Sequence, residues 1–510
     1  MRSLLRSGVS RVVAGVVIAG VAVYAVTYLD PFLALFMVPF FAAGCARGKH
    51  PLGLLALSLV PAIALLAASA VKYELIGVPL VTYDHYFLRR NLLMLAYNDW
   101  RVAGALLTFV AGLLWYLKTL LAGRGVFSRF EKATLPVLSV VALANVNSLQ
   151  SWDSNILNWE LVPKPPTLET FAKSYQVPPP GLHVDPEGTG PLLKGDNLNA
   201  PAEGRPDIFF VLEESTLPPE ALRPGANSTV LFAHSAARGG PLHVHTWAGG
   251  TWKTEFSVVA QMRPQEFGGD GEYVFHQLAG RVKRSIFTAL KSQGYRTVVV
   301  YPVPGYFLNA RTFYDSIGVD EFYDPASLGL GSGWSWKTSD SAMYDALLRK
   351  IGSTGEPVAV LILTINQHGP HDTTKPVDDY LARFSDSDKA YGEFLKALEQ
   401  RGRRAGVAAF GDHQPEFTAK LFTDESTWYA TGYDIRCVNF SCASASDAAY
   451  KAQPLDVTML APVALQEFGF GLDDFSKYQH TLFQECMGDI AGCGESTQVK
   501  YNSAFAQFFE

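Results

Sequence analysis

Residues 207–215 read DIFFVLEES, five consecutive apolar residues that run straight into two carboxylates and a hydroxyl. A short run rich in aromatic and β-branched residues, bounded by turn formers, predicts a buried strand. The runs Thr297 to Tyr301 (TVVVY), Val358 to Ile365 (VAVLILTI) and Gly406 to Phe410 (GVAAF) repeat the pattern. Between them, Val282 to Gln293, Ser339 to Ile351 and Asp388 to Glu399 carry apolar residues at helical spacing. Such alternation predicts a parallel or mixed sheet covered by helices on both faces. In sheets of this kind, sites form where the strands end.

Three of these strands end in residues that a structural role does not require. The first delivers Glu213-Glu214-Ser215, the third Asn366-Gln367-His368-Gly369-Pro370-His371, and the fourth Gly411-Asp412-His413. Any one of them passes for a solvated loop. Together they supply oxygen and imidazole groups suited to a divalent cation. A fourth segment, Trp247 to Phe256 (WAGGTWKTEF), places two glycines before Thr251, where the backbone can approach an anion and a helix can start. Thr251 as a simple helix cap is the competing reading, with Glu255 beyond the usual partner position. As a nucleophile, threonine needs a metal or a base to act at neutral pH.

The first 150 residues are different. Apolar runs cover Val12 to Leu29, Pro31 to Ala46, Leu52 to Val71, Val102 to Leu117 and Leu135 to Leu149. The first and third approach the roughly 20 residues that span a bilayer. Lys and Arg cluster before the first run, after the second, and between the fourth and fifth. By the positive-inside rule the N-terminus is then cytoplasmic and everything after about Leu149 lies outside. The segment Tyr83 to Trp100 reads either as a helix in the outer interface or as a loop packed on the spans. Residues 1–150 hold 13 Lys and Arg against 5 Asp and Glu, while the remainder carries a net charge of −14, which excludes a nucleic-acid binder.

From Pro163 to Pro206 there are ten prolines, so residues 151–206 read as a connector ahead of a domain spanning 207–510. Cys437, Cys442, Cys486 and Cys493 all fall in the part placed outside, where an even number favours disulfides. Local pairs, Cys437 with Cys442 and Cys486 with Cys493, are the preferred connectivity. Cys45 reads as an apolar filler.

In order along the chain, PDIFFVLEES, GGTWKTEF, NARTFYDSIGVDEFYD, LTINQHGPH, FGDH and LDVTMLAPVALQEFG resemble the lipoteichoic acid synthase-type phosphoglycerol transferases. These are relatives of the lipid A phosphoethanolamine transferases in the alkaline phosphatase and sulfatase superfamily. The resemblance implies an α-helical membrane domain of about five transmembrane helices, followed by an extracytoplasmic α/β domain of the sulfatase and alkaline phosphatase type. It implies Glu214, Thr251, Asp412 and His413 as ligands of a divalent metal, zinc or manganese. It implies Thr251 as the nucleophile and His368 as the histidine that contacts the phosphoryl group. Glu214 is chosen over Glu213 because it precedes Ser215, as in the family's Glu-Ser pair. The implied donor is a phospholipid, phosphatidylglycerol or phosphatidylethanolamine, and the implied acceptor is a glycan or glycolipid at the outer face of the cytoplasmic membrane.

Family members carry Trp-Asn-Arg where this chain has Leu308-Asn309-Ala310, with Arg311 one place later. Arg311 therefore stands as a candidate phosphate contact or as a surface arginine. Asp340 reads as a helix cap, His371 as a solvated loop histidine, and Lys253 has no role implied. Sulfate-ester hydrolysis by a formylglycine needs Cys or Ser in a C/S-x-P-x-R context, which the chain lacks. A two-metal phosphatase needs a second ligand cluster, and His243, His245 and His480 show no spacing that pairs them. A membrane-anchored binding protein with an inactive site is the non-enzymatic alternative.

Overall fold

The computed structural model describes residues 193–486 with short gaps, scattered positions between 68 and 114, and parts of 497–509. By contact density the chain divides into Met1–Glu74, Val78–Ile156 and Pro163–Val177 as one unit, and Leu75–Gly77, Leu157–Val162 and Pro178–Glu510 as another. The first, second and fifth apolar runs, nearly all of Tyr83 to Trp100, and most of the connector lie outside the described residues. Among the described residues no helix is long and apolar enough to cross a membrane. In the first unit Leu107, Val110 and Leu114 are helical and exposed, at a spacing that puts all three on one helix face.

The second unit is built on one mixed sheet. In chain order its elements are β1 (Asp207–Glu213), β2 (Arg238–His243), α1 (Thr251–Ala260), α2 (Val274–Gln277), α3 (Ile286–Ser292), β3 (Arg296–Val300), α4 (Ala310–Ser316) and β4 (Glu321–Tyr323). They continue with α5 (Pro325–Leu328), α6 (Asp340–Ile351), β5 (Val358–Leu363), α7 (Pro376–Gln400), β6 (Ala405–Gly411), β7 (Ala430–Val438), β8 (Leu455–Asp456), α8 (Leu460–Glu467) and α9 (Asp474–Glu485). The strand order is β4-β3-β5-β1-β6-β7-β2-β8. Every pairing is parallel except β6 with β7 and β2 with β7.

Strand β1 sits in the middle with both faces covered. Ile208, Phe210 and Leu212 enter one apolar core with Phe256 of α1, and Phe209 and Val211 enter the opposite core with Tyr344 of α6 and Phe394 of α7. Each side chain so buried stabilises the fold by about 1.5–3 kcal/mol. The registers Leu212↔Leu363, Leu212↔Phe410 and Glu213↔Gly411 end β5, β1 and β6 at one level, so their loops leave the sheet side by side. A Cβ at Gly411 would lie 1.8 Å from the carbonyl oxygen of Thr216. Only glycine lets the end of β6 approach the loop after β1 so closely.

Four strands escape the sequence pattern. β2 (RGGPLH) is rich in glycine and proline, and β4 and β8 are three and two residues long. β7 carries Asp434 in a buried position, where its carboxylate accepts from Phe232 N at 2.8 Å, Tyr391 Oη at 3.0 Å and Arg436 Nε at 3.3 Å. Two of these partners, Phe232 and Tyr391, are remote in sequence, so local propensity does not reveal the strand. The helix expected from Asp388 is the second half of α7, which starts at Pro376, a residue suited to a first helical turn.

Candidate active site

Alternation along β1 decides between the two glutamates. Glu213 points to the α6 side, where Tyr344 Oη donates to it at 2.8 Å and Thr364 Oγ1 at 3.0 Å. Burial, and then the charge of Asp340, push its carboxyl well above the ordinary value. Glu214 points the other way, toward α1. There it receives Ser215 Oγ at 2.7 Å on Oε1 and Thr251 Oγ1 at 3.1 Å on Oε2.

Thr251 is the first residue of α1, after a bend in which Ala248, Gly249 and Gly250 all have positive φ. Gly250 occupies the cap position in the left-handed region, and its side-chain-free face lies against Thr246, whose Oγ1 would sit 2.7 Å from a Cβ there. The Thr251 hydroxyl is not used as a helix cap. Its Oγ1 lies 3.4 Å from His413 Nε2 and at the positive end of the helix.

Asp412 and His413 follow β6. Asp412 Oδ1 accepts from Ser215 N at 2.6 Å and His413 N at 2.8 Å. His413 Nδ1 faces the carbonyl of Gln414 at 3.0 Å, which assigns the ring proton to Nδ1 and turns the Nε2 lone pair inward. Nε2 is 3.5 Å from Glu214 Oε1 and 3.3 Å from Asp412 Oδ2. Ligand atoms of Glu214, Asp412 and His413 all fall within 4.8 Å of one another, and all three residues are buried. The Oδ2 atom of Asp412 is buried without a hydrogen bond. Two carboxylates, an inward lone pair and a carboxylate oxygen without a hydrogen bond have the chemistry of a divalent-cation site. Burial, and next the charge of Glu214, raise the Asp412 carboxyl well above its ordinary value, which is the cost of this arrangement when no cation balances it.

The other candidates are placed as follows. His368 follows β5, half-buried, with Nδ1 toward the Gly369 carbonyl at 2.7 Å. Its own carbonyl accepts from Arg383 Nη1 at 2.8 Å. Arg311, on α4, lies over the Phe322 ring at 4.7 Å and 3.6 Å from Asp324 Oδ2, with its side chain 45% exposed. Asp340 is not the cap of α6, a role that Ser339 takes. Instead its carboxylate accepts from Ile365 N at 2.9 Å, Asn366 N at 3.1 Å and Ser387 Oγ at 2.7 Å, pinning the loop that leads to His368. His371 is not solvated: it is buried against Tyr380 and Phe417, and burial lowers its pKa to about 4. Lys253 forms a buried ion pair with Glu272 at 2.7 Å.

Two features behind the site were not legible from motif spacing. Glu255, one turn below Thr251, is fully buried and accepts from Tyr301 Oη at 3.2 Å and from Tyr314 Oη. Burial is the largest cause that raises its pKa to about 8, and the charges of Asp412 and Glu214 add to it. A carboxyl whose folded pKa exceeds its unfolded one loses stabilisation as pH rises between the two values, at up to about 1.4 kcal/mol per pH unit. For chelator-treated protein, Glu255→Gln is therefore expected to flatten the fall in stability between pH 5 and 8. Thermal midpoints of variant and wild type measured across that range check it, and parallel profiles would exclude a raised Glu255. The second feature is that His243 and His245, unpaired by spacing, come together with Asp456 of β8.

Cys437 and Cys442 form a disulfide, and Cys486 is disulfide-bonded as well, while Cys493 lies outside the described residues.

Known proteins resemble this chain over part of its length. An uncharacterized protein of Haemophilus influenzae is 25% identical over 54% of this chain and 56% of its own length. The lipoteichoic acid synthase-like YvgJ of Bacillus subtilis is 24% identical over 42% of this chain and 37% of its own. The chain thus spans from about a third to just over half of these curated relatives. Among solved structures, the Streptococcus pyogenes phosphoglycerol transferase GacH, in complex with sn-glycerol-1-phosphate, aligns with a TM-score of 0.48 and 16% identity, covering 60% of this chain and 86% of that one. The sulfatase family model matches residues 206–468, more than half of the chain and all of the sheet described above, and the protein belongs to the sulfatase family.

Proposed function

We propose that the chain is a membrane-held phosphotransferase that moves a phosphoglycerol group from phosphatidylglycerol to a glycan or glycolipid acceptor, through a covalent intermediate on Thr251. The observation that carries this reading is Thr251 Oγ1 at the head of α1, 3.1 Å from Glu214 and 3.4 Å from His413, beside the orphaned oxygen of Asp412. A divalent cation, zinc or manganese, held by Glu214, Thr251, Asp412 and His413 would supply Lewis acidity to the hydroxyl and charge neutralisation to the phosphate.

In the first step Thr251 Oγ1 bonds to the lipid phosphorus as the bond from phosphorus to the diacylglycerol oxygen breaks. The hydroxyl already directs its proton at Glu214 Oε2, which is placed to take it up as the bond to phosphorus forms. Diacylglycerol leaves after taking up a proton. An acceptor hydroxyl then displaces Thr251 from phosphorus and restores the enzyme. His368, on the neighbouring strand end, is assigned to the phosphoryl oxygens, and Arg311 to the headgroup side. The loss of one such stabilising donor typically costs about 100- to 1000-fold in rate.

Placement at the outer face of the cytoplasmic membrane is supported by the five apolar runs, the basic alternate loops, the exposed face of Leu107, Val110 and Leu114, and the disulfide of Cys437 with Cys442. A diacyl lipid stays in its bilayer, so a catalytic domain that works on its headgroup gains from being tethered there. Phosphoethanolamine is the second reading, favoured by the disulfide-closed short loop and by the arginine displaced from the family position.

Purified full-length protein incubated with labelled phosphatidylglycerol or phosphatidylethanolamine tests both readings. Diacylglycerol release from phosphatidylglycerol is expected. Release from phosphatidylethanolamine alone would move the assignment to phosphoethanolamine, and release from neither, with metal supplied, would favour the inactive binding protein.

A further inference from the structure

His243 closes β2 and His245 follows two residues later, so the strand's alternation puts both rings on one side. Strand β8 pairs with β2 in parallel, with Asp456 opposite His243. One ligand atom from each of His243, His245 and Asp456 lies within 4.8 Å of the others. The rings of the two histidines are 5.6 Å apart. We propose that these three residues form a second divalent-cation site, of the two-imidazole, one-carboxylate class that suits zinc.

Each residue is oriented for that role. Asp456 divides its oxygens: Oδ1 accepts from Thr458 N at 2.9 Å and Thr458 Oγ1 at 2.6 Å, and Oδ2 lies 2.9 Å from His245 Nε2. On the other side of that ring, Ser257 Oγ stands 3.4 Å from Nδ1 while donating to the Lys253 carbonyl at 2.9 Å. With its proton committed to the carbonyl, Ser257 offers a lone pair to Nδ1–H. At 2.9 Å Nε2–H donates to Oδ2, and a cation that displaced this proton would find the imidazole nitrogen and the carboxylate oxygen side by side. His245 and Asp456 are fully buried, whereas His243 is half-buried, which leaves the cluster a side open to solvent. Three protein ligands and one open position is a common zinc arrangement.

The site is separate from the ligands around Thr251 and does not depend on the transferase reading. It joins β8 to the strand that feeds, through residues 244–250, into α1. An ion there ties the base of the nucleophile's loop to the sheet edge.

The test is zinc stoichiometry of the full-length protein, stripped with chelator and reloaded with zinc alone. Wild type is expected to bind two zinc ions per chain, His243→Ala one, Asp412→Asn one, and the double variant none. A wild-type value of one that His243→Ala leaves unchanged would overturn the second site. Zinc anomalous scattering from wild-type crystals requires no variant. A peak among His243, His245 and Asp456 supports the proposal, and a peak only among Glu214, Asp412 and His413 refutes it. Zinc at neither position sinks it together with the zinc form of the first site, whereas failure of lipid turnover with both peaks present would count against the transferase reading alone.

Discussion

Replacing Thr251 with alanine is expected to lower diacylglycerol release from phosphatidylglycerol by roughly 10⁴- to 10⁶-fold, the range seen when a member of a nucleophilic catalytic unit is removed. The change deletes a hydroxyl that caps no helix together with one methyl group, so the thermal midpoint should move little. Incubation with labelled lipid in the absence of acceptor should leave the glycerophosphate mass on Thr251 in the wild type and nowhere in the variant. Thr251→Ser retains a hydroxyl on the same carbon and should recover part of the activity. Full turnover by Thr251→Ala would end the covalent reading, whatever the metal content.

Withdrawing the cation is the second large effect. Chelation should abolish release, and zinc or manganese should restore it. Asp412→Asn keeps an oxygen for the amides of Ser215 and His413 but removes the charge on the orphaned oxygen. Turnover is expected to fall about 100-fold or more, since even indirect supports of a metal site contribute 10- to 100-fold. Stability should respond in the opposite sense. Without metal, Glu214 and Asp412 oppose each other in a buried space, so metal-free Asp412→Asn should melt above metal-free wild type at pH 8. With metal added the order should reverse. The same melting order in both conditions would mean that the two carboxylates are not balanced by a cation.

Much of this site was legible because its residues sit at strand ends. A buried parallel strand announces itself by an apolar run, and in-register strands bring their C-terminal ends to one level, so the sequence alone groups EES, NQH and GDH. The glycines before Thr251 marked the turn that starts α1. Roles assigned by local pattern fared worse. Asp340 looked like a cap, yet holds the loop after β5 from a buried position, because Ser339 immediately before it takes the cap. His371 looked solvated, yet Tyr380 of α7 and Phe417 after β6 close over it. The pairing of His243 with Asp456 joins residues more than 200 positions apart, across two strands too short or too glycine-rich to be recognised.

By itself, the sequence determined the buried strands β1, β3, β5 and β6, the helix-covered sheet they imply, and which residue types stand at their ends, since these follow from local periodicity and composition. Only the tertiary structure decided which helix each of the two adjacent glutamates faces, which way the His413 lone pair points, and which histidines find a carboxylate. Those outcomes depend on strand register and on which helix covers which face, and both are set by packing among segments that are distant in the chain.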